Sequence, residues 1–311
     1  MGIIYNLNEL EKPLTNPVLT IGNFDGVHKG HLTLFDKVKE KAKAINGQSA
    51  VMTFEPHPIK VMKPGNGPPL ITPTRQKLRL ISSSGIDVVF CIPFTHEFAA
   101  ISAEDFIRKI LVDTLGIREI VVGYDYTFGN RRLGDINLLK KKGDELGFKV
   151  HNVEPIYLNN TLISSTSIRR FVQEGNLREA KRLLGRDYQI SGIVTKGEER
   201  GGTVLGYPTA NLNPVDDLIP KKGTYAVIVD LGDKSHFGVC NIGHNPTFGN
   251  NPLVIEAHLL DFSGDLVGES ISVNFIQHLR DERRFNSATE LSDQIAKDIK
   301  RARKLFSLHE E

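Results

Sequence analysis

The sequence predicts an α/β domain built on a parallel sheet, followed by a β-rich domain that closes as a compact barrel or sandwich. Three observations carry this. Through the first half, short apolar runs alternate with longer amphipathic stretches, the pattern of βαβ units. From Tyr188 to Phe275 the chain changes to short β-rich runs separated by glycine and proline turns. Its 311 residues suffice for two domains of about 100–200 residues each.

In chain order, Val18–Gly22 reads as a strand, and His31–Ile45 as a helix with Leu32, Phe35, Val38, Ala42 and Ile45 at helical spacing. Strands then follow at Ala50–Phe54, Val88–Cys91, Glu119–Gly123 and Lys149–Val153. Helices fall near Thr74–Ser83, Ala103–Thr114 and Ile136–Leu146. Strands this apolar suit a sheet covered on both faces, and such sheets bind ligands at the carboxyl ends of their strands. Two short helical segments, near Ser167–Gln173 and Leu177–Leu184, lead to a boundary at Gly185-Arg186, dividing the chain into 1–186 and 187–311. Beyond it, strands are expected at Gln189–Val194, Thr224–Leu231, His236–Asn241, Val254–Leu260 and Ser270–Phe275. Ser287-Ala288-Thr289-Glu290 is a capping-box pattern that opens a last helix. Its Lys297, Lys300, Arg301, Arg303 and Lys304 read as a solvated face.

A formal net charge of +2 gives no electrostatic reason to expect a nucleic-acid or membrane partner. Cys91 and Cys240 have no metal or redox spacing and read as buried thiols in a reducing cytoplasm. No signal-peptide pattern opens the chain, and no apolar run approaches the roughly 20 residues that span a bilayer. A soluble, cytoplasmic protein is expected.

Residues 22–31 read GNFDGVHKGH. Glycines after a buried strand permit a tight turn and close backbone approach to a ligand. The helix that follows offers unpaired N–H groups and a positive dipole end, which favour an anion. Taken alone, His28 and His31 fit phosphate ligands, metal ligands or solvated residues, although a metal needs a third ligand and none is nearby. Three other segments fall in the same half: Phe54-Glu55-Pro56-His57-Pro58, Gly123–Gly129 with Arg131 and Arg132 beyond, and Ile163–Arg169.

Together these segments resemble the FMN adenylyltransferase module of the bacterial bifunctional riboflavin kinase/FAD synthetases. That module belongs to the nucleotidylyltransferase superfamily, marked by a His-x-Gly-His turn and an Ile-Ser-Ser-Thr-x-x-Arg segment. Here the matches are His28-Lys29-Gly30-His31 and Ile163 through Arg169. The resemblance implies a Rossmann-like domain in which the phosphate of FMN attacks the α-phosphorus of ATP, giving FAD and pyrophosphate. It assigns His28, His31, Ser165, Thr166 and Arg169 to the ATP phosphates, with Asn23 beside them. Phe54, His57, Asp125 and Phe128 would surround the flavin. Tyr126-Thr127 stands where the family more often shows Phe-Arg, and Thr127 cannot replace an arginine's charge.

In the second half, Gly192 through Gly197 has the glycine spacing of a P-loop, but Glu198 stands in place of its lysine and no helix follows. Thr209 and Asn211 of Pro-Thr-Ala-Asn lie on one side of an extended chain, and their neutral oxygens suit Mg²⁺. Glu256 is a carboxylate inside an apolar strand, which calls for a partner, a role or a solvated strand face. With Pro220–Ala226, Asn241–Gly243, Asn245–Phe248 and Leu279–Phe285, these segments resemble the riboflavin kinase module. The implied fold is a six-stranded Greek-key barrel with a terminal helix.

By that resemblance Thr209 and Asn211 hold Mg²⁺ and ATP phosphates, and Glu256 is the base toward the ribityl 5′-hydroxyl. Gly192, Lys196, Gly197, Arg200 and Gly206 form a phosphate flap, and Arg280 belongs to a lid over the flavin. Thr203 replaces a commonly basic residue and Tyr207 a phenylalanine. The implied protein makes FMN from riboflavin and then FAD, using ATP and Mg²⁺, as a monomer or weak homo-oligomer. The alternatives are an enzyme that keeps one activity and a non-catalytic flavin or nucleotide sensor.

Overall fold

In the computed structural model, which describes residues 2–10, 12–196, 209–215, 218–244 and 253–307, the chain divides into two units, Met1–Ser165 and Thr166–Glu311. The first contains β1 (Ile3–Ile4), β2 (Val18–Ile21), α1 (Lys29–Ala44), β3 (Ser49–Glu55), α2 (Pro58–Met62), α3 (Thr74–Ser83) and β4 (Val88–Pro93). Next come α4 (His96–Ala99) and α5 (Ala103–Asp105), which continues as a π-helix over Phe106–Thr114. Then β5 (Glu119–Gly123), α6 (Ile136–Leu146) and β6 (Lys149–Val153) follow, and a small hairpin, β7 (Tyr157–Leu158) and β8 (Thr161–Leu162).

The six-stranded sheet runs β1-β4-β3-β2-β5-β6, and every pairing in it is parallel. Successive side chains of β2 go to opposite faces. Leu19 and Ile21 join one core with Met52, Phe90, Ile107 and Leu139. Val18 joins the other with Phe35, Val38, Leu78 and Ile81 from α1 and α3. Each such side chain contributes about 1.5–3 kcal/mol on full burial. From β2 the chain steps outward through β3 to β4, then returns to the other flank of β2 for β5 and β6. The strand order reverses at β2, the place where doubly wound sheets bind ligands.

The second unit takes most of α7 (Ser165–Gln173) and all of α8 (Leu177–Leu184), then β9 (Tyr188–Thr195), β10 (Thr209–Pro214), β11 (Gly223–Leu231), β12 (Lys234–His244), β13 (Leu253–Leu259), β14 (Ser270–Asp281) and α9 (Ala288–Ser307). The division thus falls ahead of Gly185-Arg186, and α8 packs on β9 and β14. The six strands close as β10-β13-β12-β11-β14-β9. Consecutive hairpins join β11, β12 and β13, and β14 returns beside β11, which is a Greek key. Alternation separates the faces. Ile255, Ala257 and Leu259 of β13 are buried, while Val254, Glu256 and His258 between them are partly exposed on the outside. Helix α9 covers part of that outer face with Ala302 and Phe306, the latter stacked on Phe237 at 4.2 Å.

Candidate active sites

The turn after β2 is strained and pinned. Phe24 (φ 49°) and Val27 (φ 37°) lie in the left-handed region that side chains rarely adopt, with Gly26 at φ 86° between them. Asp25, 4% exposed, holds the turn in place. Its carboxylate accepts the N–H of Ile71 (2.9 Å) and of Thr72 (3.2 Å), and Gly26 N–H donates to the Thr72 hydroxyl at 3.2 Å. Sequence reasoning passed over Asp25, although its place beside Gly26 inside the motif was a signal.

His28 caps α1, its Nδ1 accepting the N–H of His31 at 3.3 Å. A neutral ring that accepts on Nδ1 carries its proton on Nε2, which makes that nitrogen a donor. The two imidazoles stack at 3.5 Å with 19° between their planes. A Cβ on Gly30 would lie 3.1 Å from the His28 ring and 3.5 Å from the Ile163 carbonyl, so the glycine keeps this corner open. The Ser165 hydroxyl donates to the Asp25 carbonyl at 2.9 Å. The histidine turn and the entry to α7 therefore meet at Asp25. Asn23 is exposed and its carbonyl accepts the Thr53 hydroxyl at 3.1 Å. Thr166 and Arg169 lie in the second unit on α7, which starts two residues earlier than the Ser167 expected; Thr166 is exposed and Arg169 partly buried.

His57 repeats the logic of His28. It caps α2, with Nδ1 accepting the N–H of Ile59 at 3.2 Å. At the end of β3 the Lys77 ammonium is buried and donates to the carbonyl of Phe54, the last buried residue of that strand, at 3.0 Å. Burial pushes that ammonium's pKa down, against the pull of Cys91, Glu55 and Asp25. Phe54 and Phe128 are largely buried, at opposite ends of a run of rings that reaches Phe98 directly or by way of Phe94 and then passes through Phe106, at 5.6–6.2 Å spacings. Tyr126 stacks on Phe128 at 5.5 Å. Its hydroxyl is sealed from solvent with no hydrogen-bond partner among the described residues, and burial pushes its pKa up. Asp125 is exposed beyond β5. A surface cavity of about 550 Å³ between Ile3, Tyr5, Glu55, Arg75 and Arg79 takes none of these histidines into its wall.

On the barrel, register assembles a polar row. Asn211 of β10 stands opposite Glu256 of β13, Glu256 opposite Asn241 of β12, Asn241 opposite Thr224 of β11, and Thr224 opposite Arg280 of β14. Directly opposed residues share a face, so all five line the outside, and Thr209 joins them two residues before Asn211. Burial raises the Glu256 pKa, which strengthens the group as a base. Arg280 lies within the barrel wall and not beyond it; it donates to Asp298 of α9 at 2.9 Å, and Gln294 supports that carboxylate at 2.8 Å. Gly192 is buried in β9 and Lys196 is exposed at its end. Gly197, Arg200 and Gly206, like Thr203, Tyr207 and Asn245–Phe248, lie outside the described residues. Asn241 and Thr224 enter the site through pairings between distant segments, which local sequence does not reveal.

Residues 10–167 match the family model for FAD synthetase, and residues 184–306 match that for riboflavin kinase. The bifunctional riboflavin kinase/FMN adenylyltransferase of Escherichia coli K12 is 41% identical, over 98% of this chain and 97% of that one. That of Buchnera aphidicola is 39% identical over 99% of each. The chain belongs to the bifunctional riboflavin kinase/FMN adenylyltransferase family. Its parallel-sheet half is the family's FAD synthetase domain, and its barrel half the riboflavin kinase domain. A crystal structure described as a macrolide-efflux protein from Streptococcus pneumoniae is 31% identical and has a TM-score of 0.87, over 97% of this chain and 98% of that one. Among the described residues, no helix is long and apolar enough to cross a membrane.

Proposed function

We propose that this chain phosphorylates riboflavin to FMN on the barrel, then adenylylates FMN to FAD at the turn after β2, both with ATP, in the cytoplasm. The boundary near residue 186 is kept as the division of labour, since the riboflavin kinase match begins at residue 184. The observation that carries the reading is the pairing of Asn211 with Glu256, with Thr209 on the same face. It gathers a hydroxyl, an amide oxygen and a carboxylate from adjacent strands.

That donor set fits Mg²⁺, a hard cation that takes oxygen ligands and completes its shell with waters and substrate phosphates. Thr209 and Asn211 would hold it. When bound, the ion neutralises the ATP phosphates and aligns them. Glu256 takes the proton from the ribityl 5′-hydroxyl as that oxygen attacks the γ-phosphorus. A carboxylate suffices, because proton loss can follow as the loose phosphoryl group transfers. Gly192, Lys196, Gly197, Arg200 and Gly206 belong to the phosphate flap, and Arg280 belongs with the flavin.

At the other site no base is needed, since FMN already carries a phosphate nucleophile. Alignment and charge neutralisation account for the rate. His28, through Nε2–H, and His31, Ser165, Thr166 and Arg169 hold the triphosphate, with Asn23 beside it. His57, Asp125, Phe54 and Phe128 shape the flavin side. The test is chromatography of riboflavin incubated with ATP and Mg²⁺. FMN together with FAD is expected. FMN alone would leave only the kinase, and no turnover by a protein that binds flavin would overturn the enzymatic reading.

A further inference from the structure

We propose that Asn241 is a positioning residue of the riboflavin kinase site, holding the Glu256 carboxylate through an amide that Thr224 orients. The proposal rests on Glu256 being the base.

Glu256 has two cross-strand neighbours on its own face, Asn211 and Asn241. Asn211 is committed to the metal and phosphates, which leaves Asn241 for the carboxylate. Directly opposed Cβ atoms lie about 4.5–5.5 Å apart, a span that an amide and a carboxylate can close with one hydrogen bond. Among the described residues no hydrogen bond already occupies the Glu256 carboxylate. Asn241 cannot turn inward, because Cys240 and Ile242 on either side of it fill the barrel interior, each fully buried.

The amide is also oriented. Thr224, 1% exposed, donates its hydroxyl to Asn241 Oδ1 at 3.4 Å. With Oδ1 turned toward β11, the Nδ2 donor points along β12 toward Gly243. A Cβ on Gly243 would lie 2.5 Å from the Glu282 carboxylate and 3.4 Å from Nδ2, so a larger residue there would press on both. The chemistry suits a base. A lysine or arginine in this place would hold the carboxylate but weaken it as a proton acceptor, whereas a neutral amide orients it at little cost in basicity.

The experiment compares steady-state riboflavin phosphorylation by the full chain and by Asn241→Ala, Thr224→Val, Thr224→Ser and Glu256→Gln, with thermal unfolding of each. Asn241→Ala should lower kcat about tenfold, the effect of one hydrogen bond to a charged group. The KM values for riboflavin and ATP should stay within about twofold. Thr224→Val should lower kcat in the same way but less, and Thr224→Ser should restore it, a rescue that lost packing alone would not give. Wild-type kcat in both Asn241→Ala and Thr224→Val, beside an inactive Glu256→Gln, would overturn the proposal and leave the base in place. So would a raised riboflavin KM at unchanged kcat in Asn241→Ala. An active Glu256→Gln would instead remove the base, and the proposal with it. Thr224→Val keeps the test open should Asn241→Ala fail to fold.

Discussion

The two units place their chemistry on different parts of their sheets. In the FAD synthetase domain His28 and His57 stand beyond the carboxyl ends of strands, at the helix starts they cap, and Asp25 pins the turn that carries His28. In the riboflavin kinase domain Thr209, Asn211 and Glu256 stand on the strands themselves, on the outer face of a closed ring, where register sets Asn211 beside Glu256. A parallel sheet leaves a crevice where its strand order reverses. A small barrel filled with side chains offers no interior, which leaves its outside for a site.

Four substitutions can break or sharpen this contrast. The largest expected effect is Glu256→Gln, which should lower FMN formation by about 10²–10⁴-fold, the range for loss of a positioned base. FAD formation from supplied FMN should persist in the same chromatographic assay. Because burial raises the Glu256 pKa, wild-type kinase activity should rise with pH through a midpoint above the ordinary glutamate range. His31→Ala should do the converse, lowering FAD formation by about 10²–10³-fold, as for one lost donor to developing charge, while FMN still forms. Equal damage to both activities by either change in a folded protein would end the separation into two sites.

Asp25→Ala leaves the N–H groups of Ile71 and Thr72 without their acceptor. Urea unfolding should show a loss of about 1–3 kcal/mol, confined to the FAD synthetase domain, together with loss of FAD formation. A uniform loss across both domains would show that the pin is not local. The smallest effect is expected at Tyr126→Phe. Removing a sealed, unpartnered hydroxyl should leave the melting temperature unchanged or slightly raised; a clear drop would mean that the hydroxyl holds a buried water.

Much of the fold was legible because periodicity is local. Strand β2 and helix α1 are announced by Val18–Ile21 and by Phe35, Val38 and Ala42, all of them buried. Strand β1 was not, since two residues carry no period. Strand β10 was not either, because Thr-Ala-Asn-Leu-Asn-Pro has too few β-branched residues to outweigh its turn formers. At the sites, residue identity pointed to His28, His31, Thr209, Asn211 and Glu256. It did not show that His28 and His57 cap helices, a task sequence rules assign to Ser, Thr, Asp and Asn. Nor did it show Asp25 as a pin, since the N–H groups it accepts lie 46 and 47 residues away.

The closed ring has one more consequence. Side chains on a strand alternate, so a slip of β13 by one residue would carry Glu256 inward among Tyr225, Cys240 and Phe275, and put Ile255 or Ala257 outside. A ring has no loose edge strand on which such a slip could be absorbed at small cost. The rule that keeps a carboxylate out of the core is therefore the same rule that sets it beside Asn211. Any barrel that assembles well enough to persist has already put Glu256 beside Asn211.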